Sequence, residues 1–308
     1  MFARNAILSI PASKKCWIQL AALISFARNT ACNPDFNRTI CHYKSAAKRR
    51  FFVSITFIIV LTFSVSSKAA PSNCQADENK TSKIHINYVI DGDTVLLSNG
   101  EKLRLIGIDS PEIGYNGNVS DDMALAARAF LNRLVTRKKQ YSLQFGPERY
   151  DHHGRSLGHL FLTDGRNLQS LILAAGLATP LNIPPNISFA DCYLENAEQA
   201  RHKKTGIWQL EKYQVRPANK LSKQSKGYRI VSGRISHTAR SANNLWINLN
   251  KHLAIRINKR ELKYFPALNI TELPGQYVQV RGKVYLRNNQ LRIQIRHPHD
   301  IRLSSDEN

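Results

Sequence analysis

The sequence is short of acid. Its 308 residues carry 44 Lys and Arg against 22 Asp and Glu, a formal net charge of +22, which directs the search for partners to polyanions: nucleic acid or an anionic membrane surface. Cysteine is sparse as well. Cys16, Cys32, Cys41, Cys74 and Cys192 include no C-x-x-C pair, which argues against a cysteine-based zinc site. A long apolar run is also missing. Residues 51–65 are apolar over 15 positions, whereas a membrane span needs about 20. The 43% hydrophobic content excludes a disordered chain and leaves room for about two domains.

The charge is unevenly placed. Residues 1–70 carry a net +9, residues 71–212 a net of zero, and residues 213–308 a net +13. The last value exceeds what solubility alone requires. In the leader, Lys48-Arg49-Arg50 precede the apolar run, and Ser67-x-Ala69 follows it. That is the pattern of a signal peptide with a small-x-small cleavage site, and export is the expected fate. The alternative is an uncleaved anchor at residues 51–65, and membrane contact is expected only in that case. After export only Cys74 and Cys192 remain, in a compartment that permits a disulfide between them.

From Ile84 the pattern becomes that of strands. Strands are predicted at 84–90, 94–98 and 102–108. Val95 and Leu97, then Leu103 and Leu105, alternate around Ser98-Asn99-Gly100, and Asn-Gly is a strong hairpin signal. An Ala/Leu-rich helix from Asp122, with Leu125, Ala129 and Leu131–Val135 near the helical period, precedes strands at 140–146 and 157–163. Helices at 167–178 and 190–205 follow, and Trp208 is expected in the core. Five strands with a helix between the third and fourth predict a small closed barrel of the OB type.

Residues 213–226 are polar and predict a linker. Beyond them strands are predicted at 228–236, 244–249, 252–257, 276–286 and 290–296, with a short helix at 259–265. The expected architecture is therefore mainly β with helices: an OB-type barrel over 83–212 and a second, smaller OB-like barrel over 227–303. In the last two strands Arg281, Lys283 and Tyr285, then Arg292 and Arg296, fall on one face. That face is either a solvated exterior or a basic platform for a phosphate backbone, with Tyr285, Tyr228 or Trp246 offering stacking surfaces.

The densest chemistry lies between Val89 and Glu112. Folding the hairpin brings Asp93 towards Asp109, and two carboxylates so placed call for a cation between them. Arg104 lies on the connecting strand, Glu112 follows, and Arg155 sits in the polar turn Tyr150-Asp151-His152-His153-Gly154-Arg155. Carboxylates with two arginines suit phosphodiester hydrolysis. A hard cation neutralises phosphate, arginine forks hold its oxygens, and a carboxylate orients water.

The runs D-G-D-T, R-L-I-G-I-D-S-P-E and D-H-H-G-R-S resemble the staphylococcal (thermonuclease-type) nuclease domain over about residues 83–209. The resemblance implies an OB barrel and a Ca²⁺-dependent endonuclease that acts on DNA and RNA and leaves 3′-phosphate ends. It implies Asp93 and Asp109 as carboxylate ligands, with the main-chain carbonyl of Ser110, where the family has threonine. Glu112 would orient the water, and Arg104 and Arg155 would clamp the phosphate. Where the family's type enzyme has Lys-Tyr, this chain has His152-His153, and His153 is a candidate nucleic-acid contact. Thr179-Pro180-Leu181-Asn182 replace tyrosines that follow the second helix. DNA and RNA are the expected partners and no protein partner is inferred. The competing expectation is a module that binds nucleic acid or an envelope polymer without turnover.

Overall fold

The computed structural model describes residues 74–304. The leader and its apolar run lie outside the described residues. The alternating residues do form a hairpin. After β1 (Thr81–Val89), β2 (Thr94–Leu97) pairs with β3 (Lys102–Leu105), Val95 opposite Leu103. Val95, Leu97, Leu103 and Leu105 are all buried, each contributing roughly 1.5–3 kcal/mol. In the turn Gly100 takes φ 88°, and the Glu101 N–H donates to Asn99 Oδ1 at 3.0 Å.

The strand predicted at 102–108 is broken. Gly107 has φ 88°, a backbone state open to glycine, and β4 (Gly107–Asp109) leaves the barrel. The chain continues through α1 (Ala124–Leu134), β5 (Gln140–Tyr150), β6 (Ser156–Phe161), α2 (Leu168–Ala174), β7 (Thr179–Leu181) and α3 (Ala190–His202). β4 pairs with β7, Asp109 opposite Thr179. The five strands close in the order β1-β2-β3-β6-β5, with β3 and β6 parallel. Trp208 is buried in this core, as predicted. Cys74 and Cys192 are joined as a disulfide with their Cα atoms 5.9 Å apart, tying the chain before β1 to α3.

α1 buries Leu131 of the predicted apolar set, with Val135 just beyond it, but not Leu125. Ala124, Ala127 and Leu131 are buried, whereas Leu125 is 64% exposed.

The predicted linker at 213–226 is built into the fold. Tyr213 is buried in the first core, and Ala218 in the second. Between them β8 (Val215–Pro217) pairs in parallel with β9 (Gly227–Arg234). There follow β10 (His237–Arg240), β11 (Asn244–Leu249), β12 (Leu253–Asn258), β13 (Tyr277–Arg287), β14 (Gln290–Gln294) and β15 (Ile301–Ser304). The helix predicted at 259–265 is a 3₁₀ helix, Lys259–Tyr264. β9 and β10 act as one bent strand. β9 pairs with β13 and β10 with β11, so the bend at residues 235–236 joins the two edges of the sheet. β12 and β14 run parallel. Counting the bent strand as the first, both barrels have the order 1-2-3-5-4 with a parallel 3–5 pair.

The barrels are joined by contact as well as by chain. Ile230 of β9 is buried in the first barrel's core. Arg281 pairs with Glu198 of α3 at 2.7 Å, and His299 Nε2 lies 3.0 Å from Asp191 Oδ1.

Candidate active site

The turn between β1 and β2 carries Asp91-Gly92-Asp93. The Asp93 N–H donates to Asp91 Oδ1 at 2.9 Å. Asp93 is 3% exposed. Its Oδ2 accepts from the N–H and the hydroxyl of Ser110, at 2.8 and 2.9 Å, and its Oδ1 accepts from the Thr94 hydroxyl at 3.1 Å and pairs with Arg104. Gly92 permits this closure. A Cβ there would stand 2.7 Å from both Ala127 Cβ and Ser110 Oγ.

Arg104 sits on β3 opposite Thr94. It spans the two predicted carboxylate ligands, pairing with Asp93 and donating to Asp109 Oδ1 at 3.1 Å and to the Ile108 carbonyl at 3.2 Å. Burial pushes its guanidinium pKa down, and Asp109 opposes this. The Asp109 side chain is 43% exposed and open to the cleft.

Arg155 reaches the same place through topology. The parallel β3–β6 pair sets Arg104 opposite Leu157, so the residues just before β6 lie beside β3. Asp151 organises that turn. Its Oδ1 accepts from the N–H groups of His153 and Arg155, both at 2.9 Å, and its Oδ2 from Arg155 Nε at 2.8 Å. Desolvation raises the Asp151 pKa, but these hydrogen bonds outweigh it and the net shift is downward. His152, rather than His153, lines the cleft beside Arg155, with the two rings 3.8 Å apart.

Glu112 lies at the rim, where its N–H donates to Asp121 Oδ2 at 3.2 Å. Partial desolvation raises its pKa, helped by Asp91 and Asp109 and opposed by Arg104 and Arg155. Asp91 is raised too, first by burial, against Arg104 and Arg155. Sequence reasoning passed over Asp91; the doubled aspartate of the D-G-D turn was the signal.

The donors here are oxygen atoms, which suits a hard cation. Four carboxylates (Asp91, Asp93, Asp109, Glu112) face two arginines, and burial raises the pKa of Asp91 and of Glu112 against the pull of both arginines. The set therefore fits a divalent cation by charge and chemistry. Arg104 now holds the position between Asp93 and Asp109, and among the described residues no three His, Cys, Asp or Glu side chains converge closely enough to hold an ion.

In the second barrel Tyr285 pairs opposite Arg292, whose guanidinium lies 4.8 Å from the Trp246 ring centre. Lys283 is exposed, and Arg296 lies 3.6 Å from Glu261. Arg281 is committed elsewhere: to Glu198, and through Nε to the His299 carbonyl at 2.8 Å.

A closed five-stranded barrel with carboxylates and two arginines at one end defines a nuclease-type domain, and comparison with known proteins agrees. The profile of the family described as staphylococcal nuclease homologue matches residues 102–210. A thermonuclease from Staphylococcus intermedius is 26% identical over 155 residues, covering 49% of this chain and 91% of that protein. An uncharacterized endonuclease from Escherichia coli O157:H7 is 32% identical over 127 residues, covering 39% of this chain and 72% of that protein. The chain belongs to the staphylococcal nuclease family. The matched segment ends before β8, so the second barrel lies beyond it.

Proposed function

We propose that this protein is a Ca²⁺-dependent endonuclease that cleaves DNA and RNA to leave 3′-phosphate ends. One observation carries the reading. Barrel closure gathers Arg104 and Arg155 with Asp93, Asp109 and Glu112 at one end, which supports this reading. Asp93, Asp109 and the Ser110 carbonyl would hold the cation, which supplies charge neutralisation at the phosphate. Arg104 and Arg155 donate to the non-bridging oxygens and stabilise charge that builds as water attacks phosphorus. Glu112 orients that water and accepts its proton. Asp151 keeps Arg155 aimed into the cleft.

Export is part of the proposal. The Cys74–Cys192 disulfide supports it, because such bonds persist in oxidising compartments.

The test is cleavage of plasmid DNA and of RNA, with Ca²⁺ and with a chelator. Glu112→Gln and Arg155→Ala are expected to lower cleavage by about 10³-fold or more with melting temperature unchanged. Full activity in either variant would refute the assignment.

A further inference from the structure

A second cleft opens from the active site into the space between the barrels. The first cavity, about 400 Å³, includes Arg104 and Arg155 in its walls; the second, about 530 Å³, begins at Asp109. The two share Leu181, Ile183 and Arg296. From there the second runs along the outer face of β13, past Lys283 and Tyr285.

We propose that this inter-barrel cleft carries the single-stranded part of a nucleic-acid substrate on one side of the scissile phosphate, with Lys283 and Arg296 on the backbone and Tyr285 against a base. The proposal rests on the nuclease reading and extends its site into the second barrel.

Three observations support it. The first is continuity, since Asp109 and Arg296 line the cleft that a strand leaving the phosphate clamp must enter. The second is charge. Arg281 is held by Glu198, and the Asp300 carboxylate accepts from the N–H groups of Arg296 and His297. Lys283 has no ion-pair partner among the described residues, and Arg296 has only the loose contact to Glu261 at 3.6 Å. Two cations are thus available to phosphates. The third is a set of unmet hydrogen bonds. Among the described residues Asn182 Nδ2, Tyr228 Oη and Tyr285 Oη are buried without hydrogen-bond partners, and all three residues line this cleft. Buried polar atoms are rarely left so, and nucleotide edges and phosphates would satisfy them. A single strand is required because a duplex hides the base faces on which tyrosine stacks.

The test is binding of fluorescent oligodeoxythymidylate to the full chain carrying Glu112→Gln, which removes turnover. Affinity is measured against salt for a trinucleotide and for an oligomer of about 12 nucleotides. Adding Lys283→Ala and Arg296→Ala together should weaken the long oligomer at least tenfold. It should also reduce the magnitude of the log–log salt slope by about 1.4, roughly 0.7 for each lost phosphate contact. Tyr285→Ala should weaken it about tenfold without changing the slope. Tyr285→Phe, which preserves packing, and Lys283→Ala alone, at an exposed position, guard against misfolding and should give the smaller losses of one hydroxyl and one charge. The gain from trinucleotide to long oligomer should shrink in every variant. Unchanged affinity and salt slope in folded variants would overturn the proposal. So would loss of binding to phosphatidylglycerol vesicles with oligomer binding intact. The two readings fail separately. A protein that binds through this cleft but never cleaves refutes the nuclease; one that cleaves while these variants bind normally refutes the strand path.

Discussion

Ser110 gives both its N–H and its hydroxyl to one oxygen of Asp93, at 2.8 and 2.9 Å. These two hydrogen bonds fix the aspartate that the D-G-D turn delivers. Gly92 makes the approach possible. Gly92→Ala would put a methyl group 2.7 Å from Ser110 Oγ and Ala127 Cβ. The expected result is a loss of about 1–3 kcal/mol in stability and a fall in cleavage larger than that of Ser110→Ala. Denaturant titration and initial rates check both, and a neutral Gly92→Ala would show that the turn has slack.

Asp151 gives a second prediction. It accepts from Arg155 twice, through the N–H and through Nε. In Asp151→Asn an amide nitrogen faces Nε and cannot accept. Arg155 then loses its aim while the turn keeps its backbone bonds to the remaining oxygen. The expected outcome is a fall in kcat of about 10–100-fold, a smaller change in KM, and a melting temperature within a few degrees of the parent. Equal effects on kcat and stability would mean that Asp151 only holds the fold.

Much of this was legible in the sequence, and the failures have physical causes. The β2–β3 hairpin was readable because two-residue alternation and Asn-Gly agree. Arg155 was found through its motif, not through periodicity, because its place beside Arg104 depends on a parallel pair of distant strands. On α1 the predicted apolar set is half right: Leu131 and Val135 are buried, whereas Leu125 and Ala129 are exposed. An Ala-rich helix offers little polar contrast, and the close approach of Gly92 to Ala127 is a long-range contact that no local pattern records. The break at Gly107 was hidden inside an apolar run. The strand face containing Arg281, Lys283 and Tyr285 was correctly alternating, yet its residues have different fates. Arg281 meets Glu198, 83 positions earlier, and no local pattern records that contact.

That contact makes a third prediction. The Arg281 and Glu198 side chains are only 14% and 18% exposed. Burial raises the Glu198 pKa, but Arg281 more than offsets it and the carboxyl ends below its ordinary value. Glu198→Ala leaves a largely buried guanidinium without its partner, at a cost of about 2–4 kcal/mol. Because the pair spans the barrels, calorimetry should show one unfolding transition becoming two. The double variant Glu198→Leu with Arg281→Met removes both charges and should recover part of the loss, since Arg201, which donates to Glu198 at 3.2 Å, still loses its carboxylate. A single, unshifted transition in Glu198→Ala would deny the pair any coupling role.

The last prediction concerns pH. His159 is 1% exposed on β6. Tyr193 donates its hydroxyl hydrogen to Asn167 Oδ1 at 3.1 Å, so His159 Nδ1 donates to the Tyr193 oxygen at 2.9 Å. Among the described residues Nε2 is buried with no partner, and the Phe189 ring packs edge-on at 4.6 Å. Nothing there can receive a second N–H, so burial pushes the pKa from 6.5 down to about 3. The unfolded chain binds a proton below about 6.5, while the folded chain resists it until about 3. Unfolding therefore takes up a proton in that window, and stability falls as pH falls through it. It is fully present above 6.5, and the total loss is on the order of 5 kcal/mol. His159→Leu removes this contribution. Its stability at neutral pH should be lower, through imperfect packing, but its decline between pH 6.5 and 4 should be much shallower than the parent's. Urea midpoints measured across that range decide the matter: parallel curves for the two proteins would rule out His159 as the source of acid sensitivity.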